Sequence, residues 1–326
     1  MSSTDPSSPD PPNRRFATAG WQRMRKASGP LLGLLVLLMA LWGLRGMLGS
    51  TSLDEIMAAV LALPPRRAAL ALGCTVLSYL VLSLYDRLGL AWLWVMLPWR
   101  RTAPATALAY AIGNISFNAM VVSAAVRFSA FRGFGLGPGQ VARVAVFASL
   151  GFWLGYLTLG GALFALDPVS QAVQAAGFIL LLPLIYLLLA WRLPVFRVAR
   201  WELPLPPLRL CAGQVAVGVL DVIGISSVLW LMLPPLPGLS YSHFLQAFML
   251  AMIAGTVSQS PGGLGVFDSA FLLLLPDGTP APPVVAALLA FRAIYFGVPL
   301  IVAATLLALR EGRRRLLARR ARRTGP

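Results

Sequence analysis

The chain of 326 residues is 58% hydrophobic and only 12% charged, whereas charges make up roughly a quarter of a soluble domain. That balance excludes a soluble globular protein and points to a polytopic membrane protein. The formal charge of +16 would suit a nucleic-acid binder, but the basic residues fall between apolar runs, where they report membrane orientation, so no nucleic acid is expected.

The opening "MSSTDPSSPDPP" has the Ser, Pro and Asp composition of a disordered tail, and residues 1–29 read as a basic cytoplasmic extension. The first apolar run, 31–48, follows Arg14, Arg15, Arg23, Arg25 and Lys26. It is longer than a signal-peptide core and "LRGMLGSTS" after it offers no A-x-A cleavage site, so it reads as an uncleaved span. Further runs at 68–85, 141–166, 172–191, 209–233 and 284–309 approach or exceed the ~20 residues needed to cross a bilayer. One integral membrane domain is expected over 30–310, with halves 30–166 and 172–310, followed by a basic cytoplasmic tail at 311–326. Cys74 and Cys211 lie inside apolar runs and His243 is the only histidine. No metal-ligand cluster follows from that set, and no cofactor is expected.

Two regions between the long runs, 88–126 and 242–275, are apolar but interrupted. If each enters and leaves on the same side, 23 of the 27 basic residues share one face. These lie in the N-terminus, 86–103, 127–143, 192–209 and the C-terminal stretch from Arg310 onward. If instead 104–126 crosses once, the basic loops at 127–143 and 192–209 move outside, against the positive-inside rule. Even crossings are therefore expected, with both termini cytoplasmic in a multi-pass protein of the cytoplasmic (inner) membrane. The predicted fold is all-α: about six full transmembrane helices plus two interrupted re-entrant hairpins. The elements of the second half repeat the first with every direction reversed, the pattern of an inverted repeat. Such repeats serve transporters, and they also form scaffolds that transport nothing.

The second interrupted region contains "GTVSQSPGGLGVFDSA". Pro261 removes a backbone donor, and Gly262, Gly263 and Gly265 permit left-handed backbone, so the helix breaks here. A broken backbone at membrane depth has to be buried in protein or line a watery cavity. Ser258, Gln259 and Ser260 are placed to satisfy the groups that the break frees. Asp268 falls about one turn inside the second half-helix, where the dipole favours an anion. It reads either as a simple cap or as an intramembrane carboxylate facing a cavity. In the first interrupted region, "YAIGNISFNAM" supplies the polar residues Asn114 and Asn118, and Arg127 and Arg132 follow. An arginine grips a phosphate through two parallel hydrogen bonds, or snorkels to the interface. Asp221 and Arg292 lie within spans and each requires a partner or water. Arg292 is expected to pair with Asp268, because the final span follows the hairpin directly.

The blocks "SAAVRFSAFRGFGLGPGQVARV" and "SPGGLGVFDSAFLLLL", with "LLAFRAIYFGVPL", resemble the transmembrane region of the lysylphosphatidylglycerol synthetase/flippase family over roughly residues 68–310. That resemblance implies a membrane module that moves aminoacylated phosphatidylglycerol between leaflets. In the family a separate soluble domain makes the lipid; the chain ends at Pro326 after its basic tail, so a stand-alone module without that enzyme is expected. The family usually has glutamate after Gly-Val-Phe. Here Asp268 keeps the charge with a reach shorter by a methylene.

The expected function is flippase-like translocation of a phospholipid of the phosphatidylglycerol or aminoacylated type. Its site would draw on Arg127, Arg132, Asp268, Arg292, Asn114, Asn118, Ser258, Gln259, Ser260 and Asp221. The partners would be membrane phospholipids. The alternative of a different class is a non-transporting scaffold subunit for a separate lipid-modifying enzyme, docked through the basic tail. An intramembrane enzyme is not expected, because Ser258 and Ser260 lack a recognisable base and Asp221 with Asp268 lacks the flanks of a paired aspartate site. Oligomeric state is not encoded legibly, since lipid-facing and partner-facing apolar surfaces have the same composition.

Overall fold

The computed structural model describes residues 61–306 apart from 115, 117–118, 166–171, 194, 199–200 and 259–260, with 54, 58 and 309 as isolated positions beyond that range. The expected span at 31–48, both tails, and Asn118, Gln259 and Ser260 lie outside the described residues.

In chain order the elements are α1 (Pro65–Trp92), the pair α2 (Trp99–Gly113) and α3 (Ala119–Phe131), α4 (Pro138–Ala165) and α5 (Ala172–Arg192). A hairpin of β1 (Val195–Val198) and β2 (Trp201–Pro204) follows, then α6 (Leu208–Met232), the pair α7 (Tyr241–Val257) and α8 (Val266–Leu273), and α9 (Ala281–Leu306). The long apolar runs are helices because a backbone in hydrocarbon must satisfy its own N–H and C=O groups. α1, α4, α6 and α9 are each long and apolar enough to cross a membrane. The 21 residues of α5, at 1.5 Å each, span about 31 Å, close to the ~30 Å hydrocarbon core. The protein is an all-α polytopic membrane protein. Among the described residues its departure from helix is the antiparallel hairpin β1–β2, in register Val195↔Pro204 to Val198↔Trp201, within the basic segment between α5 and α6.

α1 has no sharp polar face, as expected of a helix with lipid on one side and protein on the other. Leu70, Val76, Leu77 and Leu80 are exposed, while Ala71, Ser78, Tyr79, Leu82 and Asp86 are buried. It lies along α6, and α4 packs against both α5 and α6. The α4–α6 crossing depends on glycines. A Cβ on Gly155 would stand 2.2 Å from the Gly218 carbonyl carbon, and one on Gly218 would stand 2.2 Å from the Gly151 carbonyl oxygen. Small residues at such a crossing bring the backbones together and allow dispersion to act where no hydrophobic effect operates between helices. Gln214 seals the same junction by donating to the Phe147 carbonyl at 2.6 Å and accepting from the Tyr186 hydroxyl at 2.6 Å. This fixes the rotation of α6, and Asp221, two turns further on, is held on the same inward face.

The helices α2, α3, α7 and α8 have 15, 13, 17 and 8 residues, each short of the ~20 needed to cross. Each pair folds back on itself. In the first, Ser123 donates to the Ala109 carbonyl and Arg127 lies over Tyr110. In the second, Phe248 meets Phe267 and Phe244 meets Phe271. In the second pair residue numbers run in opposite directions, so it is an antiparallel hairpin; in the first, α3 packs back along α2. The order of long helix, hairpin and long helix occurs twice, as α1 to α4 and as α6 to α9. The boundaries correct the sequence reading in one respect: α1 runs seven residues past 85, and the first hairpin occupies 99–131 rather than 88–126.

Candidate functional site

α3 places Arg127 one turn from its end, facing α1. Its Nε donates to both oxygens of Asp86 at 3.0 Å, and its Nη1 donates to Ser123 Oγ at 2.6 Å. Thr106 donates to Asp86 at 2.6 Å, and the guanidinium lies 4.6 Å from the centre of the Tyr110 ring. Asp86 is fully buried and Arg127 2% exposed. One donor remains: Nη2 of Arg127 is buried without a hydrogen-bond partner among the described residues.

The second hairpin carries the other ion pair. At its tip Gly262, Gly263 and Gly265 have φ of 61°, 67° and 78°, backbone that only glycine adopts without strain. This winding turns the Gly262 carbonyl toward α9, where Arg292 Nη1 donates to it at 2.9 Å. Arg292 Nη2 holds both oxygens of Asp268, at 2.8 and 2.7 Å. Asp268 in turn accepts from the backbone N–H of Gly265 at 2.9 Å, capping α8 from its third residue. The expected Arg292–Asp268 pair is thus formed, and the carboxylate also caps the half-helix. Immediately after Arg292, α9 passes through a π-helical turn, Ala293–Gly297, which swings Tyr295 and Phe296 onto the same wall as Arg292.

The two tips meet. A methyl group at Gly262 would lie 3.5 Å from the Asn114 carbonyl oxygen and 3.7 Å from Arg292 Nη1. Around this meeting point lies a cavity of about 450 Å³, walled by Asn114, Arg127, Asp221, Gly262 and Arg292 and by aromatic rings such as Phe152 and Phe291. That volume lies within the roughly 300–1,000 Å³ of small-molecule sites and suits a polar headgroup. Asp221 projects from α6 with 5% exposure. Its described partner is the Tyr85 hydroxyl, which donates at 3.3 Å, and no basic residue pairs with it among the described residues.

The structure therefore brings Arg127, Asp221, Arg292, Asn114, Gly262 and Gly263 to one cavity wall. Asp268 stands behind Arg292, fully buried. Ser258 ends α7, donating to the Gly255 carbonyl at 2.7 Å, and Pro261 opens the turn at the tip. Arg132 is corrected: α3 stops at Phe131, and Arg132 begins an exposed 3-10 turn closed by Gly135 at φ 84°, outside the cavity lining. Sequence reading missed Asp86 because the apolar run was cut at the charge. The helical period Tyr79, Leu82, Asp86, Leu90, all buried, would have put it on the inner face.

No family model matches the chain. The chain is 30% identical over 291 residues to the protein slr0712 of Synechocystis, covering 86% of this chain and 90% of that one. It is 24% identical over 246 residues to the inner membrane protein YbhN of Escherichia coli, covering 72% and 76%. A shorter stretch of 66 residues, 20% of this chain, is 39% identical to the phosphatidylglycerol lysyltransferase of Staphylococcus haemolyticus, of which it covers 8%. That shared stretch is narrower than the 68–310 over which the sequence motifs suggested likeness.

Proposed function

The chain belongs to the family of the Synechocystis protein slr0712, and from that premise we propose that it translocates a phospholipid across the cytoplasmic membrane. The headgroup enters the cavity between the hairpin tips and the acyl chains stay in lipid. The observation that carries this reading is the meeting of two helix-breaking tips at a cavity walled by charges, about 450 Å³ in size. Broken backbone and ionised side chains at membrane depth are costly unless a polar pathway uses them. The local likeness to a phosphatidylglycerol lysyltransferase supports a phospholipid of the phosphatidylglycerol or aminoacylated type as cargo. The name of the Escherichia coli relative supports the inner membrane as the location, and the basic loops support cytoplasmic termini. The activity is transport without chemistry.

The two arginines do not act as free cations. Each is neutralised by a buried carboxylate, so a phosphate docks on the N–H groups that the pairs leave over, Arg127 Nη2 first among them. Neutral pairs of this kind avoid trapping an anion: a headgroup held by a bare buried guanidinium would be slow to leave.

Leaflet exchange in proteoliposomes of defined composition tests the proposal, with labelled phosphatidylglycerol and its aminoacylated form as cargo. Exchange above protein-free vesicles, reduced by Arg292→Gln in folded protein, is the expected result. Absence of exchange for every lipid tried, with the protein folded, refutes translocation and favours a scaffold for a lipid-modifying enzyme.

A further inference from the structure

Two buried polar groups on the cavity wall lack a full set of partners, and they are of opposite charge. Arg127 Nη2 is a cationic donor with none among the described residues. Asp221 is a carboxylate, 5% exposed, with one 3.3 Å hydrogen bond and no described ion-pair partner. Every other buried charge at the site is paired: Asp86 with Arg127 through Nε, and Asp268 with Arg292. Both groups line the same cavity, yet they do not form an ion pair with each other. A buried carboxylate whose acceptor sites are largely unfilled is costly, and a cationic ligand would repay it.

From this juxtaposition we propose that the cavity is a two-ended site for a zwitterionic headgroup, an anionic phosphate at Arg127 Nη2 and a primary ammonium at Asp221. The inference rests on the translocation reading and narrows its cargo class: the headgroup carries an ammonium tethered to a phosphate, which unmodified phosphatidylglycerol lacks, and an ethanolamine phospholipid is the simplest probe of that pair. A primary ammonium suits Asp221 because it donates up to three hydrogen bonds, where a quaternary one donates none. The aromatic wall, including Phe152, Trp153 and Phe296, offers ring faces that attract a cation. A glycerol headgroup would leave Asp221 desolvated and without a cation, so the site discriminates through the cost of the wrong ligand.

Lipid binding to the full chain in detergent micelles, read by native mass spectrometry, tests the site apart from transport. Ethanolamine and glycerol phospholipids of identical acyl chains compete, and water-soluble phosphoethanolamine is added in a separate arm. The expected result is a preference of about tenfold for the ethanolamine lipid, the lower end for a hydrogen bond to a charged group. Asp221→Asn should erase this preference, weakening the ethanolamine lipid and relieving the penalty on the glycerol lipid. Equal binding of the two lipids, or a preference that survives Asp221→Asn, overturns the inference. Binding of soluble phosphoethanolamine with no preference between the lipids overturns the lipid as its source. Leaflet exchange is scored independently: a binding preference without exchange sinks translocation and leaves the zwitterion site standing, whereas exchange without a preference does the reverse.

Discussion

The buried Asp86–Arg127 pair offers the sharpest energetic test. Replacing Asp86 by leucine removes both 3.0 Å acceptors of Arg127 Nε and the 2.6 Å acceptor of Thr106. Thr106 keeps a second acceptor in the Thr102 carbonyl at 3.1 Å, so the loss falls mainly on the guanidinium. It then stands 2% exposed with Ser123 as its remaining described acceptor. Breaking a buried pair from one side costs about 3–5 kcal/mol, whereas replacing both members by apolar residues of similar volume is often neutral. Asp86→Leu should therefore destabilise by about 3–5 kcal/mol, and Arg127→Met by a similar amount, while the double variant stays within roughly 1–2 kcal/mol of wild type. The coupling read from the cycle is then several kcal/mol. Reversible unfolding in mixed micelles, followed by helical circular dichroism, measures it. Additive losses, or single variants within about 0.5 kcal/mol of wild type as at an ordinary surface site, would refute the account of a mutually dependent buried pair.

Gly155→Ala should lower the melting temperature sharply, because its Cβ would collide with Gly218 backbone at 2.2 Å. Gly213→Ala, whose Cβ would meet Leu88 at 3.5 Å, should have little effect. Gly262→Ala places a side chain at φ 61°, a strain of about 1–2 kcal/mol. It should cost that much stability and slow leaflet exchange by disturbing the carbonyl that Arg292 grips, and equal exchange rates would count against a role for the tip. For orientation, Arg132→Cys and Asp277→Cys, placed in a chain whose Cys74 and Cys211 are replaced by serine, should label from opposite faces with an impermeant maleimide. Asp277→Cys is expected to react in intact cells and Arg132→Cys only after permeabilisation; the reverse pattern would invert the topology.

Much of the architecture was legible because the bilayer imposes it: apolar length marks a span, and Pro261 with its glycines marks a break. The Arg292–Asp268 pair could be inferred because the two residues lie on consecutive elements. Asp86 could not be reached from hydropathy alone, since averaging assigns a charge at the end of an apolar run to a loop. Helical phase would have kept it with Tyr79 and Leu82. The meeting of Tyr85 with Asp221 joins α1 to α6 across the two halves, and no local pattern encodes such a contact. Arg132 lies outside the cavity lining because the helix stops one residue before it, a position that suits the snorkelling alternative rather than a phosphate ligand.

The most direct test of the central claim uses the charge-free double variant Asp86→Leu/Arg127→Met in the leaflet-exchange assay. The account predicts a folded protein with near wild-type stability that no longer moves phospholipid, because the cavity has lost the donor on which the phosphate docks. Exchange at the wild-type rate would contradict it and remove the cavity between the hairpin tips from the transport path.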